Sequence, residues 1–205
     1  MNTGRIVFCG LLLWAVSGNG ETDQAFRQLS SDLSSAACVE LTFINIMASD
    51  VFKTVDSTDG TAVLAHDGRY RIRIGGDEYL FDGHRLYSYS ADNNQVTVET
   101  VDSTTEQSKS VAFLTRLDDW YTADVIRPSR TYRLIKRQEA PDGTLPDSMR
   151  VTIDAEKRRL RRVAYFDIND DRHEIVITGQ HLRDSCAEEM FLPDWPDSVE
   201  TVKLF

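Results

Sequence analysis

Tyr70 to Ser90 reads YRIRIGGDEYLFDGHRLYSYS, and its alternation decides the fold. Successive side chains of a strand point to opposite faces, so Tyr70, Ile72 and Ile74 share one face while Arg69, Arg71 and Arg73 share the other. Asp82-Gly83 marks a turn, because Asp and Gly accept positive φ, and the pattern resumes through Leu86, Tyr87 and Tyr89. Two sheet strands follow directly. The open question is the use of the apolar face, which either packs against another layer or lines a space that a ligand enters.

Outward from this stretch the period of two persists. Val39, Leu41, Phe43 and Met47 fall on one side, opposite Glu40 and Thr42. Strands are predicted over 51–55, 61–65, 78–81, 86–90 and 95–101, then over 132–137, 149–154, 160–168, 174–180 and 199–204. Asp59-Gly60, Asp67-Gly68 and Asp92-Asn93-Asn94 add turn signals. Two helices interrupt the strands. Asp23 to Ala37 carries Phe26, Leu29 and Leu33 at helical spacing, with Asp23 as cap. Ser103-Thr104-Thr105-Glu106 fits a capping box ahead of Val111, Leu114 and Leu117. There is no internal repeat, low-complexity tract or interdomain linker, so residues 21–205 are expected to form a single, mainly β domain with some α. Two helices cannot cover about ten strands, which favours a sheet curled into a complete or incomplete barrel, either packed solid or holding a ligand.

Residues 1–20 have the layout of a secretory signal that is removed: Arg5, the apolar run Ile6–Val16, then Ala15-Val16-Ser17 ahead of polar residues. The run is too short to span a bilayer. Cys9 follows bulky Phe8, where a lipoprotein signal needs a small residue, so the mature chain is expected to be soluble and exported without a lipid anchor. The chain holds 23 Lys and Arg against 33 Asp and Glu, a formal charge of −10; cleavage removes Arg5 and no acid, which makes −11. That balance argues against nucleic acid, whose affinity is dominated by phosphate contacts, and against anionic membrane surfaces. Cys38 and Cys186 remain after cleavage. In an oxidising compartment an even pair suggests one disulfide; two buried thiols are the alternative.

Catalytic signatures are absent from the sequence. There is no Gly-x-Ser-x-Gly, phosphate-binding glycine loop, His-Glu-x-x-His or Cys-x-x-Cys, so neither an enzyme nor a cofactor is expected. His66, His84, His173 and His181 are scattered and suggest no metal. Asp167, Asn169 and Asp171 alternate like the start of a calcium loop, but position 178 is Thr where a bidentate Glu is needed, so a hairpin turn is expected. Lys157 to Arg162 is the one basic run. It is either a solvated hairpin edge or a docking patch for an acidic partner, with Arg158, Arg159, Arg161 and Arg162 as its candidates.

The order of these pieces resembles a known family. The N-terminal amphipathic helix is followed by GTAVLAHDGRYRI (Gly60–Ile72), YLFDGHRLYSY (Tyr79–Tyr89), QVTV (Gln95–Val98), VTID (Val151–Asp154), LRRV (Leu160–Val163) and a proline-containing tail from Phe191 to Val199. This succession is similar to the LolA-like periplasmic carriers of outer-membrane lipoproteins, over nearly the whole mature chain. The resemblance implies an unclosed antiparallel β-barrel, a half-barrel with a helical lid over an apolar cavity. It implies a monomeric periplasmic carrier that shields lipoprotein acyl chains, loaded by an inner-membrane release complex and unloaded to an outer-membrane acceptor. The implied cavity residues are Leu41, Phe43, Ile72, Ile74 and Tyr89, with Phe26, Leu29 and Leu33 on the lid; a slip of one residue would flip a strand's whole set. Family members carry an arginine that ties barrel to lid where His66 stands here, which makes His66 the lid-contact candidate, and a Trp where Tyr87 stands. A binding or sensing module for another hydrophobic ligand is the alternative on the same fold.

Overall fold

A computed structural model describes residues 20–49, 51–100, 112–127, 130–140, 145–167 and 169–204. The expected signal (residues 1–19 of it) and the capping box at 103–106 lie outside the described residues. Among the described residues, twelve strands form one sheet. In chain order they are β1 (Cys38–Ser49), β2 (Thr54–Ala65), β3 (Tyr70–Ile74), β4 (Asp77–Phe81), β5 (Arg85–Ser90), β6 (Gln95–Thr100), β7 (Tyr121–Arg127), β8 (Thr131–Lys136), β9 (Ser148–Asp154), β10 (Arg159–Phe166), β11 (Arg172–Arg183) and β12 (Glu200–Leu204). The spatial order is β12-β6-β5-β4-β3-β2-β1-β11-β10-β9-β8-β7. All pairings are antiparallel except β12 along β6, which is parallel. The end strands β12 and β7 do not pair with each other, so the sheet is an unclosed half-barrel.

Helix α1 (Gly20–Ser35), a 3-10 turn (Ala112–Thr115) and the single-turn α2 (Leu117–Trp120) lie together against the inner face. Phe26, Leu29 and Leu33 sit three and four residues apart on one stripe of α1 and are fully buried. Phe26 packs on Tyr132 of β8 with ring centroids 5.0 Å apart. Inner-face rows run straight across the register: Val39, Leu64, Tyr70, Phe81 and Leu86 in one, Leu41, Ala62 and Ile72 in the next.

Three expectations need correction. Asp59-Gly60 is not a turn, because the strands expected at 51–55 and 61–65 are the single strand β2, and the chain turns at 51–53 ahead of it. Gly60 lies opposite Phe43, and a Cβ there would overlap the Phe43 ring. Its glycine serves close packing and not a bend. Residues 121–127, expected as loop, form β7, and Leu114 and Leu117, expected on one helix, stand in two separate short turns, while Val111 of that helix lies outside the described residues.

The outer face also has a cover. After Cys186, bonded to Cys38 of β1, residues 187–199 cross the arginine-bearing side of β3 to β6 and end in β12. Arg69 lies over the Phe191 ring, 4.8 Å from its centroid, and pairs with Glu188 at 2.5 Å. Arg71, itself buried with Glu78, donates to the Leu192 carbonyl at 2.5 Å and to Asp194 at 3.1 Å. Trp195 closes on Tyr87 and Tyr89, centroids 5.6 and 6.0 Å away. Phe191 is fully buried in this second core, an apolar contribution of about 1.5–3 kcal/mol.

Candidate ligand cavity

Between the inner face and its helical cover lies a cavity of about 340 Å³. Its walls come from alternate positions of neighbouring strands: Leu41 and Phe43 of β1, Ala62 and Leu64 of β2, Ile72 and Ile74 of β3, and Ile175 and Ile177 of β11. Leu114 and Pro146 add apolar surface from the connections. The polar groups, Asn45, His173 and the Tyr165 phenol, come from positions clustered towards one end of β1, β10 and β11. The space is bounded by large aliphatic side chains and left unfilled by them, which suits a flexible apolar ligand rather than a charged one.

The polar end is tied into a hairpin. Tyr165 and His173 stand opposite each other in register, their rings stacked 5.1 Å apart at 7°. His173 Nε2 lies 3.2 Å from Asp167 Oδ2, and Asp167 Oδ1 accepts the amides of Asn169 at 2.9 Å and Asp171 at 3.0 Å. Burial acts to raise the Asp167 carboxyl, but these donors together hold it below its ordinary value. Burial pushes the Tyr165 phenol up, with the Asp167 charge adding to the effect. The calcium-like stretch is thus a turn fastened by its own carboxylate. Among the described residues no group of three or more His, Cys, Asp or Glu is placed to hold a metal ion.

Of the residues named from the sequence, Leu41, Phe43, Ile72 and Ile74 line the cavity. Phe26, Leu29 and Leu33 belong to the same apolar cluster but stand in the helical cover, outside the lining. Tyr89 is misplaced by one position in parity. Leu86 pairs with Phe81 on the inner face, which sends Tyr87 and Tyr89 to the outer face against Trp195. Asn45, Ala62, Leu64 and Ile177 were missed, although β1 parity from Leu41 already pointed to Asn45. His173 and His181, eight apart on β11, face opposite sides because a bulge at Thr178 shifts the register between Thr42 and Phe43.

His66 is exposed, and its contact near the helical cover is through its backbone amide, 3.0 Å from the Ala37 carbonyl. Among the described residues its imidazole makes no hydrogen bond or ion pair with α1. An ion pair between barrel and helix is made instead by Arg158, 3.4 Å from Asp32 of α1. The basic run does not form one patch: Arg158 reaches α1, Arg161 pairs with Asp154 of its own hairpin at 2.7 Å, and Arg162 pairs with Glu174 at 2.5 Å. Arg159 is exposed beside Lys157 and Arg161.

No protein-family model matches the chain, and no curated protein matches it. Solved structures do. An uncharacterized conserved protein from Thermus thermophilus aligns over 90% of this chain and 100% of its own, at 11% identity and a TM-score of 0.52. The likeness is one of fold. A LolA superfamily protein from Nitrosomonas europaea aligns over 85% of this chain and 98% of its own, at 8% identity and a TM-score of 0.45. A DUF1329 family protein from Desulfovibrio piger aligns over 84% and 97%, at 10% identity and a TM-score of 0.45. No helix among the described residues is long and apolar enough to cross a membrane.

Proposed function

We propose that this chain is an exported carrier that holds hydrophobic chains in its half-barrel, with lipoprotein acyl groups as cargo moved from inner to outer membrane. The observation that carries the reading is the 340 Å³ apolar cavity under a helical cover, with its few polar groups clustered at one end. Each buried methylene is worth about 0.8 kcal/mol, so acyl chains cross water only when covered. The succession of motifs from Gly60 to Val199 supports the cargo class. The layout of residues 1–20 supports export and cleavage, with residues 21–205 acting as one monomeric domain. A release complex at the inner membrane and an acceptor at the outer membrane complete this reading, and the chemistry is binding and not catalysis.

A second reading has one observation in its favour. The cavity volume suits one acyl chain more closely than several, which favours a module that binds a single-chain lipid. Native mass spectrometry of the protein from its own exported fraction, with extraction of bound lipids, separates the two. A one-to-one adduct with an acylated protein is the expected result. A free fatty acid or lysolipid would support the second reading. An empty monomer that also extracts no acylated protein from vesicles would overturn both.

A further inference from the structure

On the side of the sheet away from the cavity, β7 to β11 form an open groove of about 830 Å³ whose charged walls are arginine. Arg127, Arg130, Arg133, Arg150, Arg162 and Arg172 line it, and no lysine does. The single carboxylate in the lining, Glu174, is already engaged by Arg162 at 2.5 Å and Arg172 at 2.5 Å. The groove's small side chains are Thr131, Ser148, Thr152 and Ala164. This concentration of positive charge sits on a chain of net −10.

The register accounts for it. Arg133 stands directly opposite Arg150, and Thr152 on β9 stands between Thr131 and Arg162. Like charges directly opposite on antiparallel strands destabilise the pairing. Asp124 of β7 is across from Arg133 in register, yet the two form no ion pair. Among the described residues no carboxylate pairs with Arg127, Arg130, Arg133 or Arg150. Four exposed guanidinium groups therefore line one groove over small residues, and among the described residues none of them is ion-paired.

We propose that this groove docks an extended polypeptide segment rich in Asp and Glu. A guanidinium presents a planar fork of donors that matches a carboxylate in two parallel hydrogen bonds, which a lysine ammonium does not. Small residues between arginine walls leave room for a backbone in extended form, and the exposed Ile126 and Phe166 offer apolar contact in the same groove. A bilayer fits less well, because a flat surface does not enter a groove and a net charge of −10 opposes an anionic leaflet. The arginines stand on the opposite sheet face from the cavity lining, with Tyr165 bordering both, and the inference does not rest on the carrier reading.

Fluorescence anisotropy of a short labelled peptide alternating Glu and Val, titrated with the purified protein over rising salt, tests it. Saturable binding that weakens with salt is expected. Arg133→Gln with Arg150→Gln should weaken it by roughly tenfold or more, the scale of one charge-assisted hydrogen bond. Lys157→Gln with Lys203→Gln changes net charge equally outside the groove and should leave binding unchanged. Thermal melting controls for folding, and the arginine variant should melt no lower than wild type because it removes a like-charge pair. Equal loss in both variants, or no binding at low salt, would overturn the proposal. So would flotation with phosphatidylglycerol vesicles that depends on Arg133 and Arg150 while the peptide is ignored, which would make the face a membrane surface.

Discussion

A series of saturated fatty acids titrated against the protein tests the cavity directly, because cavity volume sets where affinity stops rising. The cavity holds about 340 Å³. A methylene is close in size to a water molecule, whose share of liquid volume is about 30 Å³, so roughly ten methylenes fit. Each one buried contributes about 0.8 kcal/mol, or about fourfold in Kd. From six to ten carbons, affinity should rise by roughly 200-fold, and beyond about twelve the gain per carbon should fall below about twofold. Displacement of a fluorescent fatty acid, checked by calorimetry, measures the curve. Ile72→Phe adds three carbons to the wall opposite Ala62 and should move the break shorter by roughly three carbons, since a packed interior has no slack to absorb them. A flat profile would refute an apolar cavity. A rise that continues unbroken to about sixteen carbons, in wild type and Ile72→Phe alike, would show that these walls do not bound the ligand.

Cys38→Ser with Cys186→Ser opens a crosslink spanning 148 residues of sequence. By the loop-entropy relation this should cost up to roughly 5 kcal/mol, a fall in Tm of roughly 10–20 °C for a domain of this size; a fall below about 3 °C would refute the estimate. Gly60→Ala forces the Phe43 ring to move, and the open space beside that ring is the cavity. It should cost about 1–3 kcal/mol and weaken fatty-acid binding, so an unchanged melt with unchanged affinity would refute this account of the glycine. The Glu188 carboxyl is held below its usual 4.5 by the hydrogen bond and charge of Arg69. Burial acts to raise Asp67, but Arg69 holds it down as well. A depressed folded pKa gives stability that is complete above the unfolded value and is lost as pH falls through the folded one. Hydrogen exchange of residues 188–196 should therefore speed up below 4.5, and loosening that sets in near neutrality instead would contradict the assignment.

The half-barrel was legible because its strands obey a period of two and its turns are marked by Asp-Gly and Asn. The same period puts Leu41 with Phe43 and Ile72 with Ile74 on one face each, and the family resemblance pointed those faces at a cavity. Tyr89 did not follow, because β5 is apolar on both faces. Leu86 serves the inner core, while Tyr87 and Tyr89 serve a second core that exists only when residues 187–199 fold over them. That cover is built from Phe191 and Trp195, more than a hundred residues further on, and local periodicity carries no trace of so distant a partner. Gly60 misled for a related reason. Asp59-Gly60 has turn chemistry, and what overrides it is a ring on the neighbouring strand. The arginine groove was legible only at Arg162, since its other members come from separate strands and meet through register.

These placements also determine which wall can move when a ligand enters. The β2 to β6 wall is held from outside by residues 187–199, by the Cys38–Cys186 bond, and by the buried Arg71–Glu78 pair under Leu192 and Asp194. Separating a buried ion pair leaves an uncompensated charge and costs about 3–5 kcal/mol, so that wall resists displacement. The helical cover is held differently. Among the described residues, α1 packs through the apolar stripe of Phe26, Leu29 and Leu33, and its polar ties include the half-exposed Arg158–Asp32 pair, a kind of pair worth about 0–1 kcal/mol at the surface. Its apolar contacts are ones a hydrophobic ligand can replace in kind, so lifting α1 while an acyl chain enters exchanges one buried surface for another. Under the proposed reading, α1 is therefore the part that yields to an entering chain, while the β2 to β6 wall keeps its shape.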